Sequence, residues 1–207
     1  MANLQPARPL QPGDGVSCVA ASSSLSSDGR LSQGIQLLES WGLTVHPQAL
    51  SERYWGYLAG SDQERRKDLE PKSDTALLAC ARGGWGAARL LEDKIAWQRG
   101  WLLGFSDVTA LLWARLAAGF AGGVHGPLLT TLAAEPEWSQ ERLRKLLFGE
   151  SIPDLHGRGI GGAKASGPLI VANLTVATHL LGTTHIPNLR NAILVFEDVG
   201  EAPYRID

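Results

Sequence analysis

Trp101-Leu102-Leu103-Gly104 is a short apolar run that gives way within a few residues to Val108–Ala118 (VTALLWARLAA), an apolar helix rich in Leu and Ala. A buried strand feeding a buried helix through so short a junction commits the chain to layered α/β packing, because each segment needs apolar neighbours. The junction, Gly104-Phe105-Ser106-Asp107, pins a serine on a sharp turn at the positive end of the helix dipole. Charge developing on a nucleophile is best tolerated there, so acyl transfer is the first chemistry to weigh. A helix N-cap is the commoner use of such a serine. Here Asp107 or Thr109 is expected to supply the cap and leave Ser106 free to project. The match to a Gly-x-Ser-x-Gly elbow stops at Val108.

The same alternation runs through the rest of the first half. Val16–Ala21 reads as a strand, Leu31–Trp41 as a helix closed by Gly42, Leu43–Val45 and Ala76–Ala81 as strands, and Val124-His125 as the end of a fifth. Continuous apolar strands separated by helices predict a parallel sheet with ligands at its carboxyl edge. After Glu135-Pro136-Glu137 and a charged helix comes Gly157–Gly162, a glycine-dense linker. Gly167–Val171 then reads as a strand, Asn173–Leu181 as a helix with Asn173 near its cap, and Asn191–Glu197 as a buried strand. The boundaries expected are an extended or disordered leader over 1–14, an α/β domain over 15–134, a linker over 135–164, and a partial C-terminal domain over 165–207. That last piece is too small for a core of its own and is expected to lean on the first domain or on a partner.

Composition excludes several classes. The 207 residues are 44% hydrophobic and 19% charged, with a net charge of −2, which leaves no basic footprint for nucleic acid. The N-terminus lacks the apolar core of a secretory signal, and no run is long enough to span a membrane. Cys18 and Cys80 lie in apolar strands and read as buried small hydrophobes. Without CxxC, HExxH or paired histidines, no metal and no cofactor is expected.

Three further motifs bear on chemistry. Arg82-Gly83-Gly84-Trp85-Gly86 follows a strand, and its glycines let backbone N–H groups approach a ligand oxygen, as in an anion nest or oxyanion hole. A dinucleotide fingerprint fails there, because Arg89 stands where its third glycine is needed. Arg82 is a candidate partner for a substrate carboxylate, weighed against an ordinary surface role. Glu197-Asp198, with Glu201 just beyond, closes the last strand, where a carboxylate either serves a turn or orients a histidine.

Taken in order, these segments resemble the L,D-carboxypeptidase family of serine peptidases, which includes murein tetrapeptide carboxypeptidases and microcin-C-resistance peptidases. The resemblance rests on Pro12-Gly13-Asp14, on Gly56-Tyr57-Leu58-Ala59-Gly60 with Arg65 and Asp68-Leu69, and on Ala81-Arg82-Gly83-Gly84-Trp85-Gly86. It continues through Gly104-Phe105-Ser106-Asp107-Val108-Thr109, His125-Gly126-Pro127, Asn173-Leu174, Leu181-Gly182-Thr183 and the run from Phe196 to Asp207. It implies a flavodoxin-like or class I amidotransferase-like N-terminal domain and a small swivelling β/α C-terminal domain, here read as truncated. It also implies that Ser106 is the nucleophile, that Glu197 is the acid of a Ser-Glu-His triad, and that Gly84 and the Asp107 backbone form the oxyanion hole. Glu201 stays open as an alternative acid.

The same resemblance implies a cytoplasmic homodimer acting on a muropeptide, and the charge and composition lead one to expect no nucleic acid or membrane partner. The family's general-base histidine lies in a glycine-flanked motif beyond the Glu-Asp strand, and none of the five histidines here has that setting. No histidine is therefore expected to bond Ser106, and little activity is expected unless another segment or chain supplies the base. His125 is expected to be structural or to contact substrate. The alternatives are a peptidase for aminoacyl or peptidyl nucleotides, with Trp55 or Trp85 under the base, and a catalytically silent peptide-binding module.

Overall fold

The protein is represented by a computed structural model that describes residues 4–46, 48–162 and 164–207. The opening residues of the leader and Ala163 of the linker therefore lie outside the described residues. Five strands, Gly15–Val19 (β1), Thr44–His46 (β2), Thr75–Cys80 (β3), Trp101–Gly104 (β4) and Gly123–His125 (β5), form one all-parallel sheet in the order β2-β1-β3-β4-β5. That is the doubly wound, flavodoxin-like order, whose reversal lies between β1 and β3. The strands read as unbroken apolar runs because helices and loops cover both faces. Leu78, Cys80 and Leu102 look into one hydrophobic cluster and Val16, Leu77 and Leu103 into the other.

The helices are Arg30–Ser40 (α1), Asp62–Lys67 (α2), Thr109–Ala117 (α3), Leu129–Leu132 (α4), Glu137–Phe148 (α5), Leu174–His179 (α6) and Pro203–Ile206 (α7). The α2 helix was not anticipated, although Ser61 and Glu64 close a full capping box at its start. Residues 4–14 are largely extended and mostly exposed, with one buried anchor. Leu10 is buried, and its N–H donates to the Leu147 carbonyl at 2.8 Å.

Leu169–Asn173 (β6) and Ile193–Glu197 (β7) pair in parallel as a separate two-stranded sheet. β6 starts two residues later than the sequence predicts, since Pro168 brings no N–H to a ladder. This unit rests on α3. Ile170, Ala172, Val176 and Leu180 complete a cluster that also holds Leu111, Leu112 and Trp113. Two polar staples fix it: Trp113 Nε1 donates to the Val171 carbonyl at 3.0 Å, and the Asn173 N–H donates to Thr109 Oγ1 at 2.9 Å.

β7 corrects an expectation. It reads as a buried strand, yet Leu194, Val195 and Phe196 are 40%, 42% and 46% exposed. Its apolar composition suits a sheet interior, but β6 is its one strand neighbour among the described residues.

Candidate active site

The loops that follow β1, β3 and β4 meet at the carboxyl edge of the sheet, beside the strand-order reversal where such folds hold ligands. β4 must turn there at Gly104, because a Cβ would stand 2.8 Å from Val108 Cγ1 and 3.0 Å from Cys80 Cβ. Phe105 is fully extended, and Ser106 then takes φ of +61° before a single 3-10 turn leads into α3. Among the described residues, only Ser106 and Asn191 are non-glycine residues with a positive φ. Such a conformation costs on the order of 1 kcal/mol and persists where surrounding packing imposes it. Ser106 is partly exposed, and its hydroxyl makes no hydrogen bond among the described residues.

Neither expected residue caps α3. Asp107 Oδ2 accepts the Ala87 N–H at 2.8 Å, and Thr109 Oγ1 accepts the Asn173 N–H. Both side chains reach away from the helix to satisfy buried N–H groups of neighbouring segments, so the first turn of α3 has no side-chain cap. Asp107 thereby ties the glycine loop to the serine turn. Its burial holds the carboxyl above the ordinary aspartate range.

The glycine loop lies against the serine. A Cβ on Gly83 would sit 3.5 Å from Ser106 Oγ, in the space above the hydroxyl. Gly84 has φ of +110°, and a Cβ there would meet Ser23 Oγ at 2.2 Å, so the loop closes onto Ser23 only with glycine in place. Ser23 in turn accepts the Trp85 N–H at 3.2 Å, and its own N–H donates to the Gly83 carbonyl at 3.3 Å. Neither the Gly84 nor the Asp107 N–H enters a loop, turn or side-chain hydrogen bond among the described residues. Arg82 is exposed and donates Nη1 to the Ser24 carbonyl, which bridges the glycine loop to the loop after β1.

Buried Arg65 was not assigned a role from sequence. It pairs with Asp62 and donates to the Ala21 carbonyl and, at 2.9 Å, to the Gly86 carbonyl, so one cation braces two site loops from below. An arginine in a six-residue helix made wholly of polar and charged residues carries no sequence signal for such a task.

Glu197 arrives from the second unit. Its Oε1 stands 3.4 Å from Nε2 of His125, at the end of β5. The His125 side chain is nine-tenths buried, edge-on to Phe105 with ring centroids 6.1 Å apart. Burial lowers its pKa while the Glu197 charge opposes that shift. Glu201 is engaged elsewhere, accepting from Thr175 Oγ1 at 3.2 Å and pairing with Arg205 at 2.5 Å. Asp198 accepts the N–H and hydroxyl of Thr175. The structure thus sets Ser106, the glycine loop and Glu197 around one edge, while Arg82 faces a backbone carbonyl and, among the described residues, no histidine bonds Ser106.

No group of three or more metal-ligating side chains occurs among the described residues. Cys18 and Cys80 are buried free thiols, and burial pushes Cys18 up to about 12 and Cys80 higher still.

A parallel α/β sheet with a serine on its β4–α3 turn, facing a glycine loop, has the layout of a hydrolase in which backbone amides stabilise an oxyanion. The models of the LD-carboxypeptidase N-terminal and C-terminal domains match residues 16–126 and 166–207. The chain belongs to the LD-carboxypeptidase family and is a carboxypeptidase by that membership. A Synechocystis sp. protein whose name assigns it to the carboxypeptidases is 48% identical over 214 residues, covering 99% of this chain and 69% of the relative. The murein tetrapeptide carboxypeptidase of Pseudomonas aeruginosa is 34% identical over 221 residues, covering 95% and 70%. Among solved structures, MccF in complex with glutamyl sulfamoyl guanosine superposes with a TM-score of 0.84 at 21% identity, covering 98% of this chain and 73% of that one. The muramoyltetrapeptide carboxypeptidase of Oxalobacter formigenes gives 0.77 at 23% identity, covering 93% and 68%. These two superpositions speak for the fold.

Proposed function

We propose that the protein hydrolyses an L,D-peptide bond by serine attack and releases a C-terminal D-amino acid from a murein tetrapeptide. One observation carries the reading: Ser106, held at φ of +61°, presents beneath the glycine loop a hydroxyl with no hydrogen-bond partner among the described residues. Ser106 Oγ attacks the scissile carbonyl, whose oxygen becomes an oxyanion accepting the Gly84 and Asp107 N–H groups. A histidine base takes the Ser106 proton and hands it to the nitrogen of the D-amino acid, which leaves as the amine; the same base then draws a proton from the water that resolves the acyl-enzyme. Glu197 is the acid that fixes the tautomer of a histidine base and stabilises its charged form. That base has to reach within about 3 Å of the serine oxygen, a contact that none of the five histidines makes here. Arg82 lies at the loop where the substrate's free carboxylate would come, with its remaining guanidinium N–H groups for that task.

Two measurements test this. The protein should bind a murein tetrapeptide at least tenfold more tightly than its C-terminal amide; equal affinity removes the carboxypeptidase reading. Any release of D-amino acid should vanish in Ser106→Ala, and release that survives removes Ser106 as nucleophile.

Family likeness also supports action in the cytoplasm as a homodimer. No helix among the described residues is long and apolar enough to cross a membrane. A second reading, cleavage of aminoacyl or peptidyl nucleotides, draws on Trp55 and on Trp85 of the glycine loop, which are 56% and 58% exposed. Binding of an aminoacyl sulfamoyl nucleoside in preference to the tetrapeptide would favour it.

A further inference from the structure

His125, nine-tenths buried, and Glu197, one-third exposed, form a pair with unused bonding capacity. Both ring nitrogens of His125 and Oε1 of Glu197 are buried and make no hydrogen bond among the described residues, although Nε2 and Oε1 are only 3.4 Å apart. Leaving such groups unpaired is costly, so a small approach that closes this gap is favourable. The two residues also come from different units. Glu197 sits on β7, in the second two-stranded sheet, after α5 and the segment that joins it to β6. His125 ends β5, next to the strand that delivers Ser106. Among the described residues, no other side chain of the first unit forms an ion pair with Glu197.

We propose that His125 is a positioning residue for the site acid: its Nε2–H holds the Glu197 carboxylate at the sheet edge beside Ser106. This rests on Glu197 being the acid of the proposed reaction. His125 is then not the base. It is a fixed stop that sets how far the carboxylate reaches from the second unit towards the serine. The groups around it leave Glu197 as its ionisable partner. Phe105 presents an uncharged ring edge, Asp107 is turned to the Ala87 N–H, and Asp198 is turned to Thr175.

The test reads the ring itself. In protein labelled with 15N-histidine, His125 is titrated by NMR in the wild type, in Glu197→Gln and in Glu197→Asp. Removing the neighbouring charge should weaken proton binding by His125 about tenfold. Asp, whose carboxylate stands one methylene farther away, should fall between. Identical titration in all three proteins overturns the proposal. Glu197 is one-third exposed on a strand rim, so these substitutions leave the core intact. A turnover arm separates this proposal from the reading beneath it. D-amino acid release that survives Glu197→Gln overturns the acid's assignment, even where the titration shows the pair.

Discussion

Replacing Ser106 with glycine should leave the protein more stable than replacing it with alanine, although both changes remove the hydroxyl. The reason lies in φ of +61°, imposed by the turn from β4 into α3. Alanine keeps a Cβ and so keeps the backbone cost, which is on the order of 1–3 kcal/mol for a non-glycine residue in this region. The lost hydroxyl itself matters little to folding, because it makes no hydrogen bond among the described residues; Ser106→Ala should stay within about 0.5 kcal/mol of wild type. Glycine removes the steric cost but adds about 0.5–1 kcal/mol of chain entropy to be lost on folding. The net gain of Ser106→Gly over Ser106→Ala is therefore about 1 kcal/mol. For a chain of this length that raises Tm by about 2–4 °C. Differential scanning calorimetry of the two variants at one pH and scan rate measures it. An alanine variant that melts at or above the glycine variant would refute the claim that the serine is held in a strained turn.

Gly83→Ala and Gly84→Ala should separate access from folding. The Gly83 Cβ meets nothing closer than 3.4 Å, so that variant should melt near wild type yet bind the tetrapeptide at least tenfold more weakly, while Gly84→Ala meets Ser23 Oγ at 2.2 Å and should lose about 1–3 kcal/mol in urea denaturation. Tight tetrapeptide binding by Gly83→Ala would place the substrate elsewhere. Asp107 supplies a pH test. Its carboxyl pKa is raised in the folded state by burial, so its contribution is fully present below the unfolded pKa and lost as pH rises through the folded value. Asp107→Asn does not titrate and can still accept the Ala87 N–H. Its stability relative to wild type should grow from about pH 3 to about pH 7, and a difference that stays flat across urea melts in that range would refute it.

The sheet was legible because its strands are unbroken apolar runs, and the serine turn because strand and helix nearly touch in sequence. What escaped was set by partners distant in the chain. Asp107 and Thr109 look like N-cap residues locally, yet each serves an N–H group that folding brings from elsewhere, Ala87 in one case and Asn173 in the other. The burial of β7 was misjudged for the same reason: composition records what a strand prefers, whereas exposure depends on which neighbours reach it. His125 carried no sequence cue for its place beside Glu197, since β5 and β7 belong to different sheets. The α2 helix is different, because Ser61-x-x-Glu64 was in plain view and only its brevity hid it.

The two staples from α3 to β6 have a mechanical consequence. Thr109 and Trp113 grip Asn173 and Val171, so the helix that starts three residues after the serine also carries the strand that is hydrogen-bonded to the strand of Glu197. The span from Ser106 to Glu197 is thus gauged through one rigid fulcrum and not through the long covalent route around it. Lengthening the chain between α5 and β6 should leave that gauge unchanged, since doubling a loop's length costs only about 0.6 kcal/mol. Any swivel of the second unit has to pivot on α3, at the root of the serine turn.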